Sequence, residues 1–251
     1  MAFLCILRQT TSLAIPPLNS VSQAAGQAFG LVAAADPKLV SIVALSLRIS
    51  LTAVLIGCVI GLPLGAAVAV NRFAGRRALI VILNALMGLP SVVVGLIVYL
   101  LLSRAGPLGS WGILLTPTAM VIAQAILITP TVAALSRQVV ADSWQEYREQ
   151  LRSLGETGLG AAATLLWDLR FSLVTIVLAG FGRAVSEVGA VMIVGGNIDG
   201  VTRVMTTTIA LETSKGDLPL ALGLGFILLA IVLALNAGAF LVKETAQRRY
   251  G

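Results

Sequence analysis

Five long apolar runs dominate the sequence, and they restrict its fold more than any other feature. They cover approximately residues 43–70, 78–103, 116–136, 171–195 and 219–242. A helix needs about 20 apolar residues to cross about 30 Å of hydrocarbon, and each run reaches that length. Only 11% of the residues are charged, against about 25% in an ordinary soluble domain. The sequence therefore predicts an all-α polytopic membrane protein with about five core transmembrane helices.

Basic residues are distributed unevenly among the segments that join these runs. Segments 71–77, 137–170 and 243–251 carry ten of them, whereas the opposite connections carry Arg104, Arg203 and Lys215. Cytoplasmic loops are enriched in Lys and Arg, so the first set is predicted to face the cytoplasm. Basic residues in the predicted cytoplasmic segments account for the net charge of +6. No nucleic acid is therefore expected as a partner.

The chain divides into three regions on this interpretation. Residues 1–42 form an N-terminal arm, in which the weakly apolar patch 24–35 either lies in the membrane interface or forms a partial sixth helix. The start has a short apolar block with no basic residue before it, so a cleavable signal peptide is not expected. Residues 43–242 form the transmembrane domain with a cytoplasmic loop at 137–170, and residues 243–251 form a cytoplasmic tail.

Several kinds of chemistry lack the residues that they need. The sequence has no histidine, and Cys5 and Cys58 are too few and too far apart for a metal cluster or a disulfide framework. Ser/His/Asp and Cys/His nucleophile arrangements are therefore excluded. The chain also lacks the G-x-x-x-x-G-K-[ST] loop that holds nucleotide phosphates. We predict no catalytic residue, no metal site and no cofactor bound by this chain.

The polar stretch "SWQEYREQLRSLGETGLG" at residues 143–160 interrupts this apolar background. Ser143 and Glu146 have the spacing of a capping box, and Gly155 suits the residue just past a helix end. Between them an apolar stripe follows helical spacing, formed by Trp144, Tyr147, Leu151 and Leu154. A second helix is predicted over about 157–170. The first helix either rests on lipid headgroups or inserts into a groove of a soluble partner.

The fourth apolar run contains two charged residues, Arg183 and Glu187. An ion at the centre of a spanning helix costs about 2.5 to 3.5 kcal/mol on the insertion scale, so neither is expected to face lipid. Their spacing of four places both on one helix face. Two interpretations stay open: a buried ion pair that fixes the helix register, or the polar lining of a water-filled route or its gate.

The segment after this run, residues 195–217, is predicted to lie outside and is rich in hydroxyl groups. It contains Thr202, Thr206, Thr207, Thr208, Thr213 and Ser214, together with Asn197, Arg203 and Lys215. Hydroxyl and cationic donors suit an oxyanion, but a polar loop satisfied by its own backbone has the same composition. Glycine and proline breaks such as "GLPLG" at 61–65 also allow two interpretations. They either permit close helix packing with kinks or line a pathway.

"EQLRSLG" followed by "LLWD" resembles the cytoplasmic coupling loop of ABC-importer permeases. The consensus of that loop is Glu-Ala-Ala, three residues, Gly, nine residues, an aliphatic residue and Leu-Pro. Glu149, Gly155 and Leu165 match it. The two alanines, the leucine and the proline of the consensus are replaced here by Gln150, Leu151, Trp167 and Asp168. Residues 40–242 are similar to the molybdate, sulfate and tungstate branch, and "TRVMTTTIALETSKGD" resembles the tungstate permeases most.

This resemblance implies the fold of a type I importer permease in a prokaryotic plasma membrane. The implied assembly has two copies of this chain, two cytoplasmic ATPases that carry ATP and Mg, and an external oxyanion-binding protein. The coupling residues would be Trp144, Tyr147, Glu149, Leu151, Arg152, Leu154 and Gly155. The translocation pathway or gate would involve Arg183, Glu187, Asn197, Thr202, Arg203, Thr206 and Thr207. The chain itself would not be an enzyme, and its cargo would be tungstate or, alternatively, molybdate or sulfate.

Two functions of other classes fit the sequence less well. An ion-coupled secondary carrier could use Glu187 as its proton or sodium site, but such carriers commonly contain inverted repeats, and no repeat is visible here. An intramembrane enzyme would need a nucleophile or metal constellation, which the sequence does not supply.

Overall fold

In a computed structural model, the structure describes residue 30 and residues 37–250, without the side chains of residues 239, 242, 243 and 245–250. The predicted N-terminal patch at 24–35 therefore lies outside the described residues, apart from Gly30. Within the described part of the chain there are nine α-helices, one short 3-10 turn and no strand. The predicted all-α class is confirmed.

The helices follow one another with short connections. In chain order they are α1 (Pro37–Val70), α2 (Arg76–Met87), α3 (Ser91–Leu102), α4 (Pro117–Ser153), α5 (Leu159–Asp168), α6 (Arg170–Val185), α7 (Gly189–Gly195), α8 (Met205–Lys215) and α9 (Leu218–Tyr250), and the 3-10 turn is Gly109–Trp111.

Three helices are individually long and apolar enough to cross a membrane: α1, α4 and the part of α9 over Leu218–Gly238. Two further pairs reach this length only together, α2 with α3 at a bend of 99° and α5 with α6 at a bend of 84°. Counting each bent pair as one span gives up to five, the number predicted from the apolar runs, although α5 precedes the predicted fourth run and falls in the predicted cytoplasmic loop.

The predicted boundaries need three corrections. The second run forms two helices, because Pro90 lacks the N–H that a continuous helix would use. Pro90 also disfavours the helical backbone conformation of the residue before it. The fourth run is also broken, since α6 ends at Val185 and α7 begins at Gly189. The third run continues beyond residue 136 as one helix to Ser153. The helix start predicted at Ser143 is therefore wrong.

Helices α1 and α4 form the central pair, and glycines let them pack closely. Gly57, Gly61 and Gly65 lie on the face of α1 that meets α4, and a Cβ at Gly61 would stand 2.9 Å from the carbonyl oxygen of Thr129. Ser136 donates from its Oγ to the carbonyl oxygen of Leu62 over 3.1 Å. Small residues allow such close approach in lipid, so the packing interpretation of "GLPLG" is confirmed.

Apolar side chains bury α4 along most of its length. Towards its N-terminal end it packs on α3 and α7, with Met120 and Val191 buried, and in its middle it packs on α1 and α6 around Ile128. Towards its C-terminal end, Val140 packs on Leu165 of α5. Large apolar side chains elsewhere point outward, as expected of surfaces that meet lipid or another membrane subunit.

Candidate functional site

The polar excursion of the sequence is a helical hairpin made from the end of α4, a tight turn and α5. Gly155 has φ of +82°, in the left-handed region that favours glycine. Its N–H donates to the carbonyl oxygen of Arg152 over 3.0 Å, and the N–H of Glu156 donates to that of Leu151 over 2.9 Å. These two bonds form a Schellman motif, so the predicted helix end at Gly155 is confirmed.

The predicted apolar stripe divides between two environments. Leu151 is buried and Trp144 half-buried, and both pack against α5 near Leu165. Tyr147 and Leu154 remain exposed, at 38% and 78% of their surface. The first pair therefore holds the hairpin together, and only the second pair is free to meet a partner.

Further exposed side chains extend the outward face of the hairpin. Leu159 and Trp167 on α5 are 74% and 73% exposed, among the most exposed large apolar residues of the described chain. Glu149 and Arg152 are exposed as well, and the Arg152 guanidinium lies 6.0 Å from the centre of the Trp144 ring. We call the exposed set the docking face: Tyr147, Glu149, Leu154, Leu159 and Trp167. The sequence analysis did not include Leu159, although its apolar side chain directly follows the turn.

Arg183 and Glu187 do not form the ion pair that the sequence suggested. Because α6 ends at Val185, their spacing of four no longer places them on one helix face. Oε1 of Glu187 instead accepts a hydrogen bond from the backbone N–H of Ala190 over 3.0 Å, which caps the start of α7. The Nε of Arg183 is buried and has no hydrogen-bond partner among the described residues.

The break between α6 and α7 borders a small polar cavity inside the helix bundle. The cavity measures about 10 Å³, which is close to the minimum that accommodates one water molecule. Its polar lining comes from four elements and consists of Ser46, Ser50, Gln124, Glu187 and Thr206. The sequence analysis found Glu187 and Thr206 but missed the serines and Gln124, since isolated small polar residues in apolar runs carry no distinct signal.

Gln124 is the least satisfied of these groups. Its side chain is 4% exposed, and its Nε2 donates to the carbonyl oxygen of Ala184 over 3.0 Å. Its Oε1 is buried without a partner in the described part of the chain. A buried amide oxygen of this kind normally has a donor, and water in the adjacent cavity would provide one.

The threonines of the outer segment are occupied by their own backbone. Thr202 accepts from the N–H of Ile198 and donates to the carbonyl oxygen of Gly195. Thr206 donates to the carbonyl oxygen of Glu187 over 2.8 Å. Thr207 and Thr208 bond to the backbone of Val204 at the start of α8. This geometry agrees with the interpretation of a self-satisfied polar loop, and the assignment of these residues to a pathway stays a prediction.

The cationic residues of the same segment are paired with carboxylates. Arg203 contacts Asp199 at 3.1 Å, and Asp199 also accepts a bond from Lys38 of α1 at 3.0 Å. The hydrogen bond from Lys38, and then the charge of Arg203, hold the pKa of Asp199 below its usual value. Lys215 pairs with Glu212 at 3.0 Å. Asn197 has φ of +50° and a buried Oδ1 that has no partner in the described chain.

The described residues contain no group of three or more His, Cys, Asp or Glu side chains that could hold a metal ion.

Comparisons with known proteins connect this architecture to a family. Residues 61–251 match the family described as the inner membrane component of binding-protein-dependent transport systems. The chain is 43% identical to a probable anion ABC transporter permease protein of Haloferax volcanii over 218 residues, which cover 85% of this chain and 94% of that protein.

Two further relatives are named for the anions that they transport. A tungstate uptake system permease protein of Peptoclostridium acidaminophilum is 42% identical over 217 residues, 86% of this chain and 95% of that protein. A sulfate transport system permease protein of Escherichia coli is 30% identical over 223 residues, 86% of this chain and 79% of that protein.

Proposed function

The chain belongs to the family of inner membrane components of binding-protein-dependent transport systems, and from this premise we propose that it imports a tetrahedral oxyanion, with tungstate as the preferred cargo. It is a multi-pass protein of the plasma membrane. As a permease subunit it is not an enzyme, because ATP hydrolysis in such systems takes place on a separate subunit. Molybdate and sulfate are the alternative cargoes.

The similarity to the tungstate permease of Peptoclostridium acidaminophilum, 42% over nearly its full length, carries the choice of anion. The sulfate permease of Escherichia coli is less similar at 30%. Tungstate and molybdate have nearly the same charge and shape, so the external receptor is expected to discriminate between them.

The proposed partners are a second copy of this chain, two cytoplasmic ATPases with ATP and Mg, and an extracytoplasmic oxyanion-binding protein. The docking face supports the ATPase contact, since exposed apolar residues beside Glu149 offer anchors for a soluble partner. A route between two copies agrees with the small size of the cavity at the break between α6 and α7, which measures about 10 Å³. Ion-coupled carriage through Glu187 is less well supported, because the Glu187 carboxylate caps α7.

Reconstitution of the chain with its cognate ATPase and binding protein in proteoliposomes tests this function. We expect ATP-dependent uptake of tungstate in preference to molybdate and sulfate, unaffected when the proton gradient is collapsed. Uptake that stops with the proton gradient and continues without the ATPase would establish the secondary carrier instead. ATP-driven uptake of sulfate alone would retain the importer and overturn the cargo.

The coupling role of the hairpin is tested in the same system. Glu149→Arg should reduce both copurification of the ATPase and uptake, because it reverses a charge within the docking face. Asp142→Arg is the matched control, with the same charge change on an exposed residue of α4 outside that face. Equal behaviour of the two variants would contradict the assignment of the hairpin.

A further inference from the structure

A basic cavity lies on the predicted cytoplasmic side, beside the hairpin and adjacent to Glu149 of its docking face. It measures about 410 Å³, within the roughly 300–1,000 Å³ of small-molecule sites. The end of α1, the turn into α2 and the inner part of α4 enclose it. Its lining residues are Ala69, Val70, Arg72, Arg76, Ala141, Trp144, Gln145 and Arg148.

The cavity is lined by positive charges that few carboxylates neutralise. Three of the lining residues are arginines and none is acidic. Arg148 has one ion pair among the described residues, a long contact of 3.9 Å with Glu149, whose side chain is 86% exposed. Arg72 is exposed and has no carboxylate partner in the described chain. An anion entering the cavity would therefore not have to displace a strong internal partner.

One of the three arginines is held rigidly in place. Arg76 donates from Nε to the carbonyl oxygen of Val68 over 2.8 Å and from Nη2 to that of Ala69 over 3.0 Å. These bonds satisfy carbonyl groups at the C-terminal end of α1, where a positive charge is favourable. Arg76 thus brings a fixed positive charge to the cavity wall.

The cavity lies at the predicted cytoplasmic end of the membrane-spanning part of the structure. It begins where the membrane-spanning helix α1 ends, at Val70. Trp144 lines it, and Phe73 in the adjoining turn is 46% exposed, as expected for aromatic residues at a membrane interface. Basic pockets between helices on the cytoplasmic side are suited to anionic lipid headgroups.

We propose that this cavity binds the phosphate of an anionic phospholipid headgroup. A guanidinium group presents parallel N–H donors that match two oxygens of a phosphate, and three such groups border the site. A free tetrahedral oxyanion has the same recognition chemistry, but it lacks acyl chains that would keep it at the interface. The proposal is independent of which anion the transporter carries.

Retention of phosphatidylglycerol by the purified full-length protein tests the proposal. The protein is equilibrated in nanodiscs of phosphatidylcholine with phosphatidylglycerol, extracted into detergent, and the retained lipid is quantified by native mass spectrometry. The variants are Arg72→Gln and Arg148→Gln, alone and combined, with Arg148→Lys as a charge-preserving variant. Arg77→Gln is the matched control, since Arg77 is exposed next to Arg76 but does not line the cavity.

We expect Arg72→Gln and Arg148→Gln each to reduce retained phosphatidylglycerol by about fivefold, the contribution of one basic residue near an anionic surface, and the combined variant to reduce it further. Arg148→Lys should lose less than Arg148→Gln, and Arg77→Gln should match the wild type. Thermal unfolding of every variant separates loss of lipid from loss of fold. Wild-type retention in a folded Arg72→Gln/Arg148→Gln variant would overturn the proposal.

Two other occupants give different results. If inorganic phosphate binds lipid-depleted protein through Arg72 and Arg148 while phosphatidylglycerol is not retained, the cavity is a site for a free oxyanion and the headgroup proposal is wrong. If phosphatidylglycerol is not retained and the folded Arg72→Gln/Arg148→Gln variant loses the cognate ATPase instead, the cavity belongs to the subunit interface, and the proposal is again wrong.

Discussion

Gln124 donates a hydrogen bond from Nε2 to the carbonyl oxygen of Ala184 over 3.0 Å, joining the N-terminal part of α4 to the last turn of α6. The same α4 continues without interruption to Ser153, at the tip of the cytoplasmic hairpin. At 1.5 Å per residue, the helix connects the two points over about 44 Å. A movement imposed on the hairpin could therefore reach the break between α6 and α7 along one continuous helix, which contains Pro130 between the two points.

Gln124→Met should weaken the attachment of α4 to α6. The substitution keeps a similar side-chain volume but removes the donor, and we expect a loss of about 1 kcal/mol of stability, the net value of one hydrogen bond. Thermal unfolding of the detergent-solubilised protein measures it. Gln138→Met is the control, because Gln138 is an exposed residue of the same helix. Equal melting temperatures for the two variants would show that this bond contributes nothing.

Glu187 stabilises the start of α7 through an oxygen atom that glutamine also possesses. Glu187→Gln should therefore leave unfolding close to that of the wild type, since the amide oxygen can still accept from Ala190. Glu187→Ala removes the acceptor and should cost about 1 kcal/mol, as other lost N-terminal caps do. The melting temperatures of both variants, compared with that of the wild type, test this prediction. If Glu187→Gln is as damaging as Glu187→Ala, the carboxylate charge itself is required.

Gly61 lies within the close contact between α1 and α4. Gly61→Ala introduces a Cβ 2.9 Å from both the carbonyl oxygen of Thr129 and the Cβ of Val132. Overpacking of this kind costs about 1–3 kcal/mol, so we expect reduced yield and a lower melting temperature. Gly225→Ala in α9 is the control, because its added Cβ would meet nothing within 4 Å. A Gly61→Ala protein as stable as this control would show that the helices can separate without cost.

The sequence predicted a number of membrane spans that the structure allows, and it predicted the end of α4 at Gly155, because both depend on local signals. Apolar length identified the spans, and Gly155 occupies the left-handed position that glycine favours. The helix start at Ser143 was wrong because long-range packing determines that region. Val140 and Leu151, on either side of it, are both buried against α5, and this packing keeps α4 helical through the capping signal.

The break at residues 186–188 could not be predicted for a related reason. It contains no proline or glycine, and its apolar neighbours continue on both sides. Contacts distant in sequence accompany it instead: Thr206 bonds to the carbonyl oxygen of Glu187, and Gln124 to that of Ala184. The pairing of Arg203 with Asp199 was visible as a spacing of four, but the sequence analysis considered only the cations.

Asp199 should make the outer loop sensitive to acid. Its folded-state pKa lies below the usual value, first through the hydrogen bond from Lys38 and then through the charge of Arg203. The stabilisation is therefore present above the usual pKa of about 3.9 and is lost as pH falls through the lowered value. We expect proteolysis of the 196–204 loop to increase in that acidic range, and Asp199→Asn to show the increased cleavage already at neutral pH. A cleavage rate independent of both pH and substitution would show that the Lys38–Asp199 contact does not restrain the loop.

Leu154 and Leu151 separate the two roles of the hairpin, since they lie three residues apart in opposite environments. Leu154 is 78% exposed and Leu151 is 8% exposed. Leu154→Asp should leave the permease folded and lower ATPase copurification by at least about tenfold, the effect of removing one interface anchor. Leu151→Asp buries a carboxylate against α5 and should lower the melting temperature of the permease alone. The two measurements are made on each variant. Normal ATPase binding by a folded Leu154→Asp variant would show that Leu154 does not belong to the docking face.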